Sequence, residues 1–208
     1  MNAFKLYAVT DRAWTAKKPL TEQVEDALRG GVTCLQLREK NLPFEEFLDL
    51  ANETKKICEK YNVPFIINDN AEVAARCGAD GLHIGQGDIC VPLARELIGK
   101  EKILGVSVLT VPQARLAEES GADYLGVGAV FATSTKSDAN AVSFDTLSEI
   151  CESVSIPVVA IGGITKENTQ TLKGSGISGV ALVSAIFAAE NIERECREIL
   201  EGLDWLKS

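Results

Sequence analysis

The sequence predicts an α/β protein in which residues 1–208 form a single domain, folded as a closed (β/α)8 barrel. Short apolar runs alternate with longer amphipathic segments along the chain. The apolar runs are nearly uninterrupted, as expected of parallel strands covered on both faces. A phrase of glycine, then alanine or isoleucine, then aspartate or serine recurs at Gly78, Gly121 and Gly176, between a helical segment and the next strand. Such repetition is typical of repeated βα units.

Each predicted strand is short and β-rich, and carries at most one charged, amide or imidazole side chain. The predicted strands are residues 5–9, 34–37, 65–67, 81–84, 103–106, 124–127, 158–161 and 179–182. The helical segments between them have apolar residues at helical spacing, with charged residues on the opposite face. In residues 44–60, for example, Phe47, Leu48 and Ala51 oppose a face rich in Glu and Lys. Further amphipathic segments include residues 20–29, 92–98, 111–119, 144–153 and 192–202.

Glycines follow several of these helical segments, at positions where a helix commonly ends. Eight strands alternating with eight helical patterns favour the TIM-barrel architecture, whose site lies in the loops after the strands. An open, doubly wound sheet is the alternative, because a count of strands does not prove closure.

Composition and charge exclude several classes of function. A net charge of −9 with scattered Lys and Arg argues against a nucleic-acid partner. We find no uninterrupted apolar run of about 18 residues, so no membrane span is expected. Six cysteines lie far apart without a CxxC pair, and the sequence has one histidine, so a soft-metal site is not expected. We expect buried or half-buried free thiols and a cytoplasmic protein without a signal peptide. The sequence is compatible with a homo-oligomer.

Two cations follow the second predicted strand. Arg38 and Lys40 come directly after residues 34–37, where charge is costly to bury without a partner. An anionic ligand would explain both. The alternative is an Arg38–Glu39 ion pair that stabilises the barrel rim, but such a pair does not require Lys40.

Two carboxylates follow the third and fourth predicted strands. Asn68 and Asp69 come after residues 65–67, and Asp88 comes after residues 81–84. Mg²⁺ prefers oxygen ligands and commonly takes one or two carboxylates together with phosphate oxygens of a substrate. The sequence therefore predicts a Mg²⁺ site at Asp69 and Asp88. Helix N-capping is the alternative for both aspartates.

The chain offers two further groups of anion-binding character. The sixth predicted strand runs into Thr133, Ser134, Thr135 and Lys136, whose hydroxyls and ammonium suit phosphate or diphosphate oxygens; a solvated surface loop is the alternative. Gly163 follows the seventh predicted strand, and Val183 and Ser184 follow the eighth. A phosphate site formed by these two loops recurs in barrels of this type. Arg38, Lys40 and Lys136 with the metal at Asp69 and Asp88 would thus form one anion site, and Gly163, Val183 and Ser184 a second. Two such sites suggest an enzyme that joins two phosphorylated small molecules.

Two polar residues near strand ends have weaker signals. His83 lies inside a predicted strand, where a histidine with a satisfied hydrogen bond is more common than a catalytic one. Ser107, just past residues 103–106, is either a ligand contact or a helix cap.

Read together, these motifs resemble the thiamine-phosphate synthase family, in the family's order and over nearly the whole chain. The matching motifs are Gln36-Leu37-Arg38-Glu39-Lys40, Asn68-Asp69, Gly81-Leu82-His83-Ile84-Gly85-Gln86 with Asp88, Gly105-Val106-Ser107, Gly126-Val127-Gly128 with residues 131–138, Ala160-Ile161-Gly162-Gly163-Ile164, and Val183-Ser184-Ala185-Ile186.

The resemblance implies a transferase of thiamine biosynthesis. It would condense 4-amino-2-methyl-5-hydroxymethylpyrimidine diphosphate with hydroxyethylthiazole phosphate, releasing diphosphate with Mg²⁺ as cofactor. By the same resemblance Arg38, Lys40, Lys136 and Ser107 act in catalysis, and Asp69 and Asp88 hold the metal. The implied substrate contacts are Gln36, Leu37, Arg38, Glu39, Lys40, Asn68, Ser107, Thr133, Ser134, Thr135, Lys136, Gly163, Val183 and Ser184.

One departure and two alternatives accompany this resemblance. The family often has histidine two residues after the serine that matches Ser107, where this chain has Leu109. A thiazole tautomerase has a similar fold but shifts a proton and needs no metal–diphosphate apparatus. A barrel that binds phosphate and regulates a partner without catalysis is the other alternative.

Overall fold

The computed structural model describes residues 2–132 and 142–206. Eight parallel strands follow one another around a closed barrel, and the last strand pairs with the first through the register Leu6↔Val180. The predicted closed barrel is thus confirmed, and the open sheet is wrong. The strands are β1 (Leu6–Val9), β2 (Cys34–Leu37), β3 (Phe65–Asn68), β4 (Gly81–Ile84), β5 (Ile103–Val108), β6 (Tyr124–Val127), β7 (Val158–Ile161) and β8 (Gly179–Leu182).

The helices pack around the outside of the barrel, as their amphipathic patterns predict. Among the described residues they are α1 (Leu20–Arg29), α2 (Phe44–Tyr61), α3 (Ala71–Cys77), α4 (Val91–Ile98), α5 (Val111–Glu119), α6 (Phe144–Ser153), α7 (Ser184–Phe187) and α8 (Ile192–Gly202). None of these helices is both long and apolar enough to cross a membrane.

The structure differs from the predicted elements in several places. After β7 the chain forms a short 3₁₀ helix, Thr169–Leu172, and two α-helices follow β8, so the pattern of one α-helix per strand is not regular. In addition, β3 extends to Asn68 and β5 to Val108. Ser107 therefore lies within a strand and is not a helix cap; the cap of α5 is Thr110.

Alternate residues of each strand face two different apolar cores. Leu35 and Leu37 of β2 face outward, into the layer between barrel and helices, and both are fully buried. Cys34 of the same strand faces the barrel interior. This alternation is the period-two geometry of a strand, and it places Gln36 on the interior side. The interior core contains Phe4, Tyr7, Val9, Cys34, Ile66, Tyr124, Val159 and Ala181.

All six cysteines are free thiols, as predicted. Cys34, Cys58, Cys77 and Cys196 are buried, but Cys90, in the turn before α4, is exposed. The expectation that every thiol is at least half-buried is therefore wrong at Cys90.

Candidate functional site

A cavity of about 480 Å³ lies at the carboxyl ends of the strands. This end of a barrel is where the loops after the strands converge and where the sites of such folds are found. Most of the described side chains that the sequence suggested for a site meet there. They are Gln36, Arg38, Lys40, Asn68, Asp69, Asp88, Ser107, Gly163, Val183 and Ser184.

A cluster of one cation and two carboxylates occupies one side of the cavity. Lys40 donates a hydrogen bond to Asp69, and the carboxyl groups of Asp69 and Asp88 lie within hydrogen-bonding reach of each other. Half of the Lys40 side chain remains exposed, which leaves its ammonium accessible from the cavity. The cluster brings both signs of charge to the rim, where a metal ion and a polyphosphate could bind side by side.

The two carboxyl groups titrate differently. Burial favours a higher pKa for Asp69, but hydrogen bonds from Lys40 and Asp88 outweigh it and hold that pKa below its usual value. Burial raises the pKa of Asp88; the Gly85 N–H partly opposes this, and the hydrogen bond and charge of Asp69 raise it further. Asp69 is thus the carboxylate that stays ionised, and Asp88 is the one that accepts a proton first as the pH falls.

Neither Asp69 nor Asp88 caps a helix. Asn70 caps α3 through its side-chain oxygen, which accepts from the Val73 N–H at 2.9 Å. Asp88 accepts from the Gly85 N–H at 2.7 Å and so braces a turn, while Cys90 stands at the N-terminus of α4. Asp69 has a left-handed backbone, with φ of 63°, which aspartate and asparagine tolerate better than most residues. The N-capping alternative is wrong for both aspartates.

Asn68 has a buried polar group that points to a ligand. The residue is only 8% exposed, yet its Nδ2 has no hydrogen-bond partner among the described residues. An unpaired buried amide costs about 1–3 kcal/mol, and a bound acceptor would recover that energy. Asn68 lines the cavity, so such an acceptor would sit inside it.

The charges around Arg38 are paired differently from the sequence-based alternative. Arg38 makes an ion pair with Asp11 at 3.1 Å, and Glu39 makes one with Arg12 at 2.8 Å. The Arg38–Glu39 pair is therefore wrong. Glu39 and Leu37 do not line the cavity, because Leu37 faces the helix layer and Glu39 turns toward Arg12. Burial raises the pKa of Glu39, and the Arg12 contact offsets only part of that rise.

The glycines after β7 have a packing reason as well as a place in the cavity. A side chain at Gly163 would put its Cβ 2.4 Å from the Ala132 carbonyl oxygen, and Gly163 has a φ of 65°. The Phe131 N–H donates to the Gly162 carbonyl at 3.0 Å, so the segment after β6 runs closely beside the segment after β7. Close backbone contact therefore requires Gly163 whether or not an anion binds there.

Sequence reasoning missed two tyrosines on the cavity floor. Tyr7 and Tyr124 are buried and line the cavity, and their hydroxyls are 2.8 Å apart. Both lie inside apolar runs, a pattern that indicates strand residues and does not mark a site. The signal that could have found them is strand alternation: Tyr7 lies two residues before Val9 and Tyr124 two before Gly126, on the inward face that leads to the site. His83 joins this group through a 2.8 Å contact between its Nδ1 and the Tyr124 hydroxyl.

Four of the predicted site residues, Thr133, Ser134, Thr135 and Lys136, lie outside the described residues. Their assignment stays a prediction from the sequence.

Comparison with known proteins identifies the family. The model of the family described as thiamine monophosphate synthase matches residues 6–186. The chain belongs to the thiamine monophosphate synthase family. A thiamine-phosphate synthase from Ruminiclostridium cellulolyticum is 50% identical over 95% of this chain and 94% of its own length. Another, from Clostridium botulinum, is 47% identical over 99% of this chain and 96% of its own.

One solved structure matches this protein over the full barrel. The thiamine phosphate pyrophosphorylase from Pyrococcus furiosus matches with a TM-score of 0.92 and 38% identity, covering 100% of this chain and 98% of that one. The thiamine monophosphate synthase resemblance drawn from the motifs is thereby confirmed. At the position where the family often has histidine, Leu109 lines the cavity and donates its N–H to Gln113 at 2.8 Å.

Proposed function

We propose that the protein is a thiamine-phosphate synthase. It condenses 4-amino-2-methyl-5-hydroxymethylpyrimidine diphosphate with hydroxyethylthiazole phosphate to give thiamine phosphate and diphosphate. Family membership over residues 6–186 supports this reaction. The observation that carries it is the cluster of Lys40, Asp69 and Asp88 beside Arg38 in one cavity, because this reaction expels a highly charged leaving group.

The carboxylate pair fits a Mg²⁺ ion that shares a diphosphate. Among the described residues no group of three His, Cys, Asp or Glu side chains could hold a metal alone. Two carboxylates within reach of each other suit Mg²⁺, which commonly takes one or two from the protein and completes its sphere with water and phosphate oxygens. Asp69 and Asp88 would hold the ion. When bound it would neutralise negative charge that develops on the leaving diphosphate.

The side chains around this pair would bind and orient the pyrimidine diphosphate. In the proposed reaction the bond between the methylene carbon and the diphosphate oxygen breaks, and its electron pair leaves with the diphosphate. The thiazole nitrogen then donates its lone pair to the methylene carbon. Arg38 and Lys40, together with Lys136 from the sequence, would bind the departing oxygens. No protein nucleophile is needed, so the work of the site is positioning and charge stabilisation.

The remaining predicted contacts would divide between the two substrates. Gln36, Asn68 and Ser107 lie toward the barrel interior and would bind the pyrimidine, with the unpaired Asn68 amide as a donor. Gly163, Val183 and Ser184 line the opposite strand ends and would bind the thiazole phosphate, with the sequence-predicted Thr133, Ser134 and Thr135. Free thiols throughout the chain support a reducing compartment, which we infer to be the cytoplasm.

The test incubates the purified protein with both substrates and Mg²⁺, and follows diphosphate and thiamine phosphate together. We expect equal amounts of the two products. Chelation of the metal should stop both. Diphosphate without thiamine phosphate, or ligand binding in a thermal-shift assay without either product, would contradict the proposal. The second result would favour a phosphate-binding regulator. Isomerisation of a thiazole phosphate alone would favour a tautomerase.

Lys40→Met tests the charge cluster. It removes the cation next to Asp69 while keeping a long side chain, so we expect kcat/KM for the pyrimidine diphosphate to fall at least about 100-fold. The matched control is Lys56→Met, an exposed lysine of α2. Equal activity of the two variants would contradict a role for Lys40, and their melting temperatures should show that both are folded.

A further inference from the structure

A chain of hydrogen bonds crosses the floor of the cavity and links side chains from five strands. Gln36 Nε2 contacts the Tyr7 hydroxyl, and the Tyr7 and Tyr124 hydroxyls contact each other. The Tyr124 hydroxyl then contacts His83 Nδ1, and His83 Nε2 contacts Ser107 Oγ. Each of the four contacts measures 2.8 Å. We call this group the floor relay.

The barrel is built to hold the floor relay. Tyr7 and Tyr124 are 1% and 0% exposed, and burial raises the pKa of both phenols well above the usual value. Gly105 pairs with His83 on one side and Tyr124 on the other; a Cβ there would lie 2.1 Å from the Tyr124 ring. At Gly126 a Cβ would lie 3.0 Å from the His83 ring. Two glycines thus give the two rings the space in which they meet.

The chemistry of the groups gives the floor relay a direction. The Gln36 amide nitrogen can only donate, so the Tyr7 oxygen accepts there and its proton is available to Tyr124. When Tyr7 donates to Tyr124, the Tyr124 proton is left for His83 Nδ1. A neutral imidazole with an accepting Nδ1 carries its proton on Nε2, and that proton goes to Ser107 Oγ. Ser107 therefore keeps its own hydroxyl proton to donate elsewhere.

We propose that Tyr7, Tyr124 and His83 are positioning residues whose one-way hydrogen bonds commit the Ser107 hydroxyl to donate into the cavity. The proposal rests on the proposed function and adds to it how the site would recognise the pyrimidine substrate. Ser107 would offer a proton to a ring nitrogen of the aminopyrimidine, which has lone pairs in the ring plane. Hydrogen bonds in such a chain polarise one another, so a change at Gln36 can alter the hydrogen bond that Ser107 makes.

The single histidine allows a direct test of the direction. Because the sequence contains one histidine, ¹⁵N-histidine labelling gives one imidazole, whose tautomer is read from long-range nitrogen–proton NMR correlations of the ligand-free protein. We expect the Nε2–H tautomer. An Nδ1–H tautomer or an imidazolium at neutral pH would overturn the proposal, whatever the enzyme activity is.

Gln36→Glu should reverse the chain. A carboxylate can only accept, so Tyr7 would donate to it, Tyr124 to Tyr7, and His83 would donate from Nδ1 to Tyr124. We expect this change, four contacts from Ser107, to switch His83 to the Nδ1–H tautomer. The double variant with Tyr124→Phe, in which the chain is interrupted, should show the same tautomer mixture as Tyr124→Phe alone. An unchanged tautomer in a folded Gln36→Glu protein, recorded up to a pH at which the introduced carboxyl group ionises, would overturn the relay.

Kinetics test the consequence for the substrate. Tyr124→Phe and Tyr7→Phe each remove one hydroxyl and keep the ring, and we expect kcat/KM for the pyrimidine diphosphate to fall about tenfold, through KM. The KM for the thiazole phosphate should not change. The matched control is Tyr61→Phe, the third tyrosine, whose hydroxyl contacts Glu25 outside the barrel at 3.1 Å. Equal losses of kcat/KM for the two substrates would overturn the positioning role. A wild-type protein without synthase activity would refute the proposed function, but the tautomer result would still hold.

Discussion

In this barrel the groups that a side chain contacts indicate its role better than its residue type does. Glu39 and Asp69 are both acids that follow a strand, yet Glu39 turns to Arg12 and away from the cavity, while Asp69 faces Lys40 inside it. The sequence places each shortly after an apolar strand and gives no means to separate them. Asn68 illustrates the opposite case, because its unpaired buried nitrogen marks it for a ligand only once the fold is known.

Glu39 predicts a pH effect on stability. Burial raises its pKa above the ordinary 4.5, so the folded protein keeps this proton to a higher pH than the unfolded chain does. Its contribution to stability is therefore present at low pH and is lost as the pH rises from about 4.5 through the raised value. Glu39→Gln cannot ionise, so we expect its free energy of unfolding to improve relative to wild type between these pH values. Urea unfolding at both ends of the range measures this.

The control for that experiment is Glu46→Gln, an exposed residue in the first turn of α2. Its stability relative to wild type should stay nearly constant across the same range. If the free energy of unfolding of Glu39→Gln falls relative to wild type as the pH rises, the Arg12 ion pair outweighs the burial of Glu39.

At the scale of elements, the sequence predicted the strands well and their two faces less well. All eight strands lie where apolar runs predicted them, because strands covered on both sides need apolar residues at every position. The same feature hides which residues face the barrel interior. Leu37, which the resemblance implies as a substrate contact, faces the helices, whereas Tyr7 and Tyr124, which nothing in the apolar runs marks as site residues, line the cavity. The 3₁₀ helix after β7 was missed because its four residues are too few for a helical period.

At the start of α3, one residue stabilises the helix and its neighbour belongs to the candidate site. Asn70 caps the helix and does not line the cavity, whereas Asp69, one residue earlier, does. We expect Asn70→Ala to lower the free energy of unfolding by about 1 kcal/mol. We expect Asp69→Asn to keep the stability, since asparagine accepts the left-handed backbone, and to abolish most synthase activity. Denaturant unfolding and steady-state rates of both variants check this, and a larger activity loss in Asn70→Ala would contradict it.

For the whole molecule, closure of the barrel pairs the first strand with the last and holds the candidate site together. Cations and acids of the candidate site come from the β2, β3 and β4 ends, while Gly163, Val183 and Ser184 come from β7 and β8. The β1–β8 pairing brings these two groups to one rim. We therefore expect stability and synthase activity to depend together on the seam between β1 and β8.

Gly179→Ala tests this dependence at the seam. A Cβ on Gly179 would lie 1.7 Å from the carbonyl oxygen of Phe4, so the β8 backbone must move away from the segment that leads into β1. We expect the free energy of unfolding to fall by about 3 kcal/mol, the upper part of the range for overpacking, because a backbone atom cannot rotate aside as a side chain can. The control is Gly87→Ala, where a Cβ would meet no atom within 4 Å. Since all eight strands share one closed sheet, far-UV circular dichroism and tryptophan fluorescence should report the same transition in each protein. A Gly179→Ala protein as stable as Gly87→Ala, or one that melts in two steps, would show that the barrel does not depend on this seam.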